Sequence, residues 1–306
     1  MFLQFLNTLI LVSLLTTGNL ALIDFFNYNA NIIPDNNVNL APAPKRIENN
    51  SLGIKTTASS IMIIDEVSQA VLFEKNSQQQ SSIASLTKLM TAIVFLEHNP
   101  GWDKRVMIKE TDQKNGGIIY LLAGEVVTVE DLFYLTLVSS TNEAVSALVR
   151  STGIKDNDFV NLMNQKTQEL NLKATEFFDP TGLDPNNKST VSDLVKLAKE
   201  AFGHNEIRQA SKLTGYQFEV LNKGIFRYAL STNQLLNSFI NQKTYSIEGA
   251  KTGYLDEAGY CQIIKVSNDN NGKSIIIAIL NSQTIDDRWQ EIKGLADWVF
   301  TNYSWN

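Results

Sequence analysis

Hydrophobic and polar positions alternate in short runs near both ends of the chain. Residues 61–65 and 70–74 are apolar runs separated by a short turn, a pattern that predicts a β-hairpin. Residues 259–266 and 273–280 form a second pair of strand-like runs on either side of the Asn-rich turn at residues 268–272. The alternation therefore predicts antiparallel strands at both ends of one domain.

Between these ends the apolar positions recur at helical spacing. The pattern predicts helices over residues 86–97, 128–137, 142–150, 158–170 and 190–202. A last amphipathic helix is indicated by an apolar stripe formed by Ile285, Trp289, Ile292, Ala296 and Val299. Strands at both ends with helices between them predict an α/β fold of the α+β type. The terminal strands would pair in one antiparallel sheet, the helices would form a second lobe, and a cleft would lie where the lobes join.

Three regions of the chain differ in composition. Residues 1–23 carry no charge and have an apolar centre at residues 9–15, which is typical of a signal peptide or an N-terminal membrane anchor. Residues 24–57 are rich in asparagine and proline and lack periodicity, so we expect a disordered linker. The folded domain is expected to span residues 58–303. We therefore expect an exported, periplasmic or extracytoplasmic protein that contacts the cytoplasmic membrane only through its N-terminal segment.

Composition and charge narrow the range of functions. Hydrophobic residues make up 43% of the chain and charged residues 19%, as in globular proteins. The chain has a net charge of -6 and no run of basic residues. It therefore lacks the positive surface that attracts the phosphates of nucleic acids, and we expect no nucleic-acid partner. One cysteine, Cys261, and two histidines, His98 and His204, are too few for an internal disulfide or a zinc site. We expect no metal and no other cofactor.

A serine and a lysine at one helix start are the first candidates for catalysis. Ser85 lies where a helix is predicted to begin and Lys88 follows three residues later, so both side chains project from one face. A serine hydroxyl is a poor nucleophile until a base removes its proton. A lysine can be that base when burial or a second cation lowers its pKa. Because any capped helix can contain S-x-x-K, this motif alone is weak evidence for a catalytic serine.

Two further motifs strengthen the evidence that Ser85 and Lys88 are catalytic. Ser140-Thr141-Asn142 falls at the junction of two predicted helices, and Lys251-Thr252-Gly253 precedes a predicted strand. The motifs S-x-x-K, S-x-N and K-T-G, in this order, form the signature of penicillin-binding proteins and serine β-lactamases. The combination predicts acyl transfer to a serine.

Longer phrases surround these motifs. They are residues 83–92 (IASLTKLMTA), 178–183 (FDPTGL), 232–236 (TNQLL), 249–254 (GAKTGY) and 258–261 (AGYC). Together they resemble the D-alanyl-D-alanine carboxypeptidases, the low-molecular-mass penicillin-binding proteins. The resemblance implies a β-lactamase/transpeptidase-like fold and removal of the terminal D-alanine from peptidoglycan stem peptides during cell-wall biogenesis. It also implies covalent inhibition by β-lactam antibiotics.

The resemblance also implies roles in catalysis. Ser85 would attack the carbonyl of the penultimate D-alanine and form an acyl-enzyme, while Lys88 accepts its proton. Lys251 would help to keep Lys88 neutral, since two close ammonium groups repel. Ser140 would pass a proton to the departing amine and would be held in place by Asn142.

Substrate binding is implied for the third motif and its neighbour. Lys251 and Thr252 would bind the terminal carboxylate, and the backbone N–H groups of Ser85 and Tyr254 would hold the oxyanion. Gly253 would let the strand backbone approach the substrate closely. The chain departs from the family pattern at Thr141 and Glu143, where a small residue and an aspartate are usual. A β-branched Thr141 is expected to crowd the cleft.

Other functions remain as alternatives. A D,D-endopeptidase that cleaves peptidoglycan cross-links is the nearest, followed by a serine β-lactamase and an inactive cell-wall binding module. A β-lactamase would need a carboxylate to activate deacylating water, but Glu169 and Glu176 fit ordinary surface acids better. A Ser-His-Asp triad fails because His98 would lie about 20 Å along the helix from Ser85.

Overall fold

A five-stranded antiparallel sheet lies at the centre of the domain in this computed structural model, which describes residues 42–305. The strands in chain order are β1 (Lys45–Arg46), β2 (Ser60–Asp65), β3 (Val71–Lys75), β4 (Ser81–Ser82), β5 (Arg105–Met107), β6 (Val126–Thr128), β7 (Lys188–Ser189), β8 (Gly215–Val220), β9 (Ile225–Leu230), β10 (Tyr245–Leu255), β11 (Gly259–Asn268), β12 (Lys273–Ser282) and β13 (Tyr303–Ser304). The central sheet has the order β10-β11-β12-β2-β3, which places β10 at one edge. Strands from the two ends of the chain meet where Ile63 of β2 lies opposite Ile277 of β12.

Most helices lie between β3 and β8 in the chain. In order they are α1 (Lys88–Glu97), α2 (Val129–Val138), α3 (Asn142–Ser151), α4 (Asp156–Glu169), α5 (Val191–Gly203), α6 (Asn205–Ser211) and α7 (Ile285–Asn302). Short 3-10 turns occupy Ala84–Thr87, Glu110–Asp112, Gln234–Asn237 and Phe239–Asn241. Threonine side chains fix the starts of α2, α5 and α7. The hydroxyls of Thr128, Thr190 and Thr284 each accept a hydrogen bond from the backbone N–H group three residues later.

The central strands are buried on both faces. Met62 and Ile64 of β2 pack into a core with the helices of the middle segment, whereas Ile61 and Ile63 point the other way. That second core includes Trp289 and other apolar side chains of α7. A strand covered on both faces needs apolar residues at successive positions, which explains the continuous apolar run in β2 and β12.

The predicted α+β fold is confirmed, as is the single sheet formed from both terminal segments. The predicted hairpins correspond to β2 with β3 and β11 with β12. The β8–β9 hairpin and the short helix α6 were not predicted. The hairpin buries few apolar side chains, among them Phe218 and Val220, while Phe226 is exposed. In β8 the alternate residues Phe218 and Val220 face the core, but in β9 the large apolar residues Phe226 and Leu230 face outward, so the pattern of β9 does not mark its core-facing side.

The segment before β2 is in contact with the domain from Lys45 onward. β1 pairs with β13 near the C-terminus, and the Trp298 indole donates a hydrogen bond to Ser51 Oγ at 2.7 Å. The packed chain thus begins earlier than the expected boundary at residue 58. Composition does not reveal these contacts because backbone pairing and single polar groups make them. The expected signal or anchor at residues 1–23 lies outside the described residues.

No helix within residues 42–305 combines the length and the apolar character needed to cross a bilayer.

Candidate active site

Ser85 lies in a 3-10 turn that leads directly into α1. The preceding residue, Ala84, has a φ of 47°, which turns the chain sharply before the helix begins. Lys88 is the first residue of α1 and points back towards Ser85. The Lys88 Nζ atom lies 2.9 Å from Ser85 Oγ, so the structure brings the first predicted pair into hydrogen-bond contact.

The Lys88 side chain is 0% exposed and has two further partners. Its Nζ atom donates to Asn142 Oδ1 at 2.8 Å and to the Thr181 carbonyl at 2.6 Å. Burial lowers the pKa of Lys88 to about 7, and the nearby charges of Asp179 and Glu143 oppose this effect. A large fraction of Lys88 is therefore an uncharged amine at neutral pH.

The second motif lies at the junction of α2 and α3. Ser140 has a φ of 60°, and its Oγ atom accepts a hydrogen bond from Lys251 Nζ at 2.8 Å. Asn142 is the first residue of α3, and its Nδ2 atom donates to the Gly116 carbonyl at 3.0 Å. The Asn142 amide is thereby oriented with its oxygen towards Lys88.

Thr141 does not crowd the cleft. Its side chain is buried, and its hydroxyl forms a hydrogen bond of 2.6 Å with Ser139 Oγ. The β-branched group thus packs beneath the motif, and the expected crowding is not observed.

The third motif lies within the edge strand β10 and, as the sequence pattern indicated, ahead of the predicted strand at residues 259–266, which is part of β11. The Thr252 hydroxyl donates to Thr232 Oγ1 at 2.7 Å. Lys251 is 1% exposed, and burial together with the positive charges of Lys88 and Arg288 lowers its pKa. The expectation that Lys251 keeps Lys88 neutral needs correction, because burial is the main cause at Lys88.

Gly253 has a packing role that the sequence did not suggest. A Cβ atom at this position would lie 3.0 Å from the Ile83 carbonyl oxygen and 3.3 Å from Ser85 N. The glycine therefore lets the edge strand approach the Ser85 turn, in addition to any approach to substrate. Tyr254 follows as a half-exposed residue whose ring lies 4.4 Å from that of Tyr260.

A loop at residues 178–187 completes the surroundings of Lys88, and residue chemistry alone did not identify its role. It provides the Thr181 carbonyl, and its Asn187 side chain donates to Thr87 Oγ1 at 3.1 Å and to Asp179 Oδ1 at 2.8 Å. Gly182 has a φ of 81°, and a Cβ atom there would lie 2.2 Å from the Ala84 carbonyl oxygen. The only signal for this loop was the phrase at residues 178–183.

Arg288 was also missed. Its buried guanidinium donates to the Gly253 carbonyl at 3.3 Å and stacks on Trp289 at 3.9 Å. Burial lowers its pKa to about 10, so it remains protonated at neutral pH. A basic residue on the apolar side of the last predicted helix was a usable signal, since arginine is seldom buried without a role.

The remaining chemically active residues lie apart from Ser85. His98 ends α1 at the opposite end from Lys88, His204 lies between α5 and α6, and Cys261 is buried in β11. Within residues 42–305, no group of three histidine, cysteine or carboxylate side chains is arranged to hold a metal ion.

The assembled groups are suited to acyl transfer. A hydroxyl lies beside a buried amine of lowered pKa, a second hydroxyl contacts a second buried lysine, and an edge strand runs past both. These groups are a nucleophile, a base and a second hydroxyl paired with a second amine.

Comparison with known proteins gives a consistent result. Residues 45–284 match the sequence profile of the S11 peptidases, described as D-alanyl-D-alanine carboxypeptidase. A D-alanyl-D-alanine endopeptidase of Pseudomonas aeruginosa is 30% identical over 244 residues, which cover 78% of this chain and 76% of that protein. The D-alanyl-D-alanine carboxypeptidase DacF of Bacillus subtilis is 30% identical over 254 residues, which cover 80% of this chain and 63% of that protein. The crystal structure of the Streptomyces K15 DD-transpeptidase superposes with a TM-score of 0.75 at 26% identity and covers 82% of this chain and 100% of that one.

Proposed function

The chain belongs to the S11 family of D-alanyl-D-alanine carboxypeptidases, and on this basis we propose that it removes the terminal D-alanine from peptidoglycan stem peptides through an acyl-enzyme on Ser85. The observation that carries the proposal is the 2.9 Å contact between Ser85 Oγ and the buried Lys88 amine. Each further role assigned to a site residue is part of the same proposal.

The hydrogen bonds of Lys88 support its role as the base. A neutral amine has two N–H donors and one lone pair. The Asn142 and Thr181 oxygens accept from the two donors, which leaves the lone pair directed at Ser85 Oγ. Ser85 attacks the substrate carbonyl carbon as its proton passes to Lys88, and the bond to the terminal D-alanine nitrogen then breaks.

Ser140 is placed to carry a proton to the departing amine. Its hydroxyl accepts from Lys251, so its own proton is free to point towards the leaving group. The leaving nitrogen takes this proton, and the proton that Lys88 took from Ser85 makes up for it. A water molecule then attacks the Ser85 ester, which releases the shortened peptide and returns the proton to Ser85. Asn142 holds Lys88 in position during these transfers.

The substrate carboxylate would bind at β10. Lys251 and the Thr252 hydroxyl provide donors, and the protonated Arg288 lies behind them against the Gly253 carbonyl. Burial and two neighbouring cations disfavour the charged form of Lys251 in the free protein. A bound carboxylate compensates that charge, so substrate binding favours protonation of Lys251.

Two backbone N–H groups are the proposed oxyanion donors. Gly253 allows β10 to lie against the Ser85 turn, which supports placing the N–H groups of Ser85 and Tyr254 on the same side of a substrate carbonyl. A donor of this kind contributes about 3 kcal/mol to transition-state stabilisation.

Penicillin treatment tests the proposed nucleophile. The strained β-lactam amide presents a carbonyl to the same serine, so we expect a mass increase of one drug molecule on the intact protein. The Ser85→Ala variant should show no increase, because the attacking oxygen is absent. Absence of an adduct on the unaltered protein, or rapid turnover of penicillin, would contradict the peptidase assignment.

An endopeptidase is the second candidate, favoured by the D-alanyl-D-alanine endopeptidase among the relatives. Both reactions use the same acyl-enzyme and differ in the amine that leaves. Digestion of purified peptidoglycan separates them. Free D-alanine supports the carboxypeptidase, whereas loss of cross-linked dimers without free D-alanine supports the endopeptidase.

We also propose that the protein acts outside the cytoplasm, with residues 1–23 as the export signal or anchor. The uncharged sequence of this segment supports the proposal. The mass of the N-terminal peptide from membrane and soluble extracytoplasmic fractions distinguishes cleavage from retention.

A further inference from the structure

We propose that Glu143 is a positioning residue for the reaction proposed above: it anchors the loop of residues 116–121 beside Asn142 and places a negative charge near the Lys88 amine. This inference rests on the proposed function. It concerns a residue at which the chain departs from the usual family pattern.

The contacts of Glu143 show what it holds. The side chain is 1% exposed, and its Oε1 atom accepts hydrogen bonds from the backbone N–H groups of Tyr120 at 2.8 Å and Leu121 at 3.2 Å. These partners are main-chain groups rather than a basic side chain. A buried carboxylate that ties two successive amides fixes the backbone there, since an unpaired buried N–H is costly.

The same loop is held at its other end by the neighbouring residue. Asn142 Nδ2 donates to the Gly116 carbonyl at 3.0 Å, while Asn142 Oδ1 accepts from Lys88. The first two residues of α3 therefore clamp the 116–121 loop at both ends. Because the Gly116 carbonyl orients the Asn142 amide, the anchor at Glu143 acts on Lys88 through Asn142.

The charge of Glu143 acts on Lys88 directly. When Lys88 takes the proton of Ser85, an ammonium forms in a buried site, where a nearby anion stabilises it. The charges of Asp179, from the 178–187 loop, and of Glu143, from α3, raise the pKa of Lys88. Lys251 of β10 is the neighbouring cationic side chain, and its own pKa is lowered by the charge of Lys88. At Lys88, two anions thus oppose the effect of burial.

The Glu143→Gln variant separates charge from hydrogen bonding, because glutamine keeps an oxygen that can accept from both amides. The measurement is the rate constant for penicillin acylation of the full protein against pH. Loss of the anion lowers the pKa of Lys88. The acidic limb of the pH–rate profile, where the rate rises as Lys88 loses its proton, should therefore move to lower pH by about half a unit to one unit. The plateau rate should fall about two- to threefold, because a base whose pKa is lower by this amount accepts the serine proton less readily.

Glu291→Gln is the matched control. Glu291 in α7 is also buried, and its Oε1 atom accepts from two successive backbone N–H groups, those of Thr57 and Ala58. It is not among the charges that affect Lys88. The control should therefore keep the acidic limb of the unaltered protein.

Glu143→Asp tests the anchor and remains informative if the glutamine variant does not fold. Aspartate keeps the charge but is one methylene too short to reach both amides. We expect an unchanged acidic limb, a lower plateau and faster amide exchange at Tyr120 and Leu121. A full plateau rate in this variant would overturn the anchoring role.

The outcomes distinguish this inference from the proposed function. If the unaltered protein forms no adduct at Ser85, the proposed function fails. If it is acylated but Glu143→Gln keeps the acidic limb and plateau of Glu291→Gln, only the role of Glu143 is wrong.

Discussion

The Lys88 amine takes its three partners from three separate parts of the chain: Ser85, Asn142 and Thr181. Each contact is short, and the side chain is fully buried. This burial is the main cause of the lowered pKa of Lys88. At the scale of single residues, the environment therefore turns an ordinary lysine into the candidate base.

The pH dependence of acylation should report this environment. Lys88 accepts a proton only when neutral, so the rate of penicillin acylation should rise with pH through a midpoint of about 7. Lys88→Arg remains protonated at all these pH values and should lower the plateau by about 10²-fold or more.

The control is Lys166→Arg on α4, where the lysine pairs with Glu97 and Glu169 at the surface. It should keep both the rate and the midpoint. A Lys88→Arg protein acylated as fast as this control would show that another group is the base.

At the scale of secondary-structure elements, the site depends on turns held in unusual backbone conformations. Ala84 and Ser140, one beside and one within the two serine motifs, have positive φ values although neither is glycine. Such conformations persist only where the surroundings determine them, and they are common at active sites. The 178–187 loop provides part of these surroundings, because Gly182 lies directly against the Ala84 carbonyl.

Alanine at Gly182 should therefore disturb the Ser85 turn. A Cβ atom would meet the Ala84 carbonyl oxygen at 2.2 Å, so the turn must shift, and we expect lower acylation and a loss of about 2–4 kcal/mol in unfolding free energy. Gly124→Ala is the matched control, with a similar φ of 84° and open space around the new methyl group. It should lose only about 1 kcal/mol and keep its acylation rate. Equal acylation in the two variants would contradict the proposed support of the turn.

At the scale of the whole molecule, the sheet separates two cores, and the site lies at its β10 edge. The second core joins α7 to the start of the domain, where Glu291 accepts hydrogen bonds from Thr57 N, Ala58 N and Ser282 Oγ. This junction ties the residues just before β2 and the end of β12 to the last helix. It stabilises the fold without touching the catalytic groups.

Glu291→Ala should separate stability from activity. Three donors would lose their acceptor, so the free energy of unfolding in denaturant should fall by about 3 kcal/mol. The acylation rate of the remaining folded protein should stay the same. Glu48→Ala, an exposed glutamate of the same N-terminal segment, should change stability by less than about 0.5 kcal/mol. A loss of acylation in folded Glu291→Ala protein would mean that the junction also shapes the site.

Much of the fold could be predicted because its signals are local. The apolar runs of β2 and β12 and the stripe on α7 report which faces are buried. The β8–β9 hairpin was missed because its exposed Phe226 obscures the inward-facing side. The early start of the packed chain was missed because backbone pairing of β1 with β13 leaves no side-chain pattern.

The sequence by itself determined the residue types, the order of the three motifs and the α+β arrangement, because motif chemistry and side-chain periodicity are properties of short segments. Only the tertiary structure decided that the Thr181 carbonyl contacts Lys88, that Gly253 packs on the Ser85 turn and that Glu143 holds the 116–121 loop. These features depend on distances between segments far apart in the chain, and burial sets the pKa of Lys88. Both are set when these distant segments pack together, which no local pattern encodes.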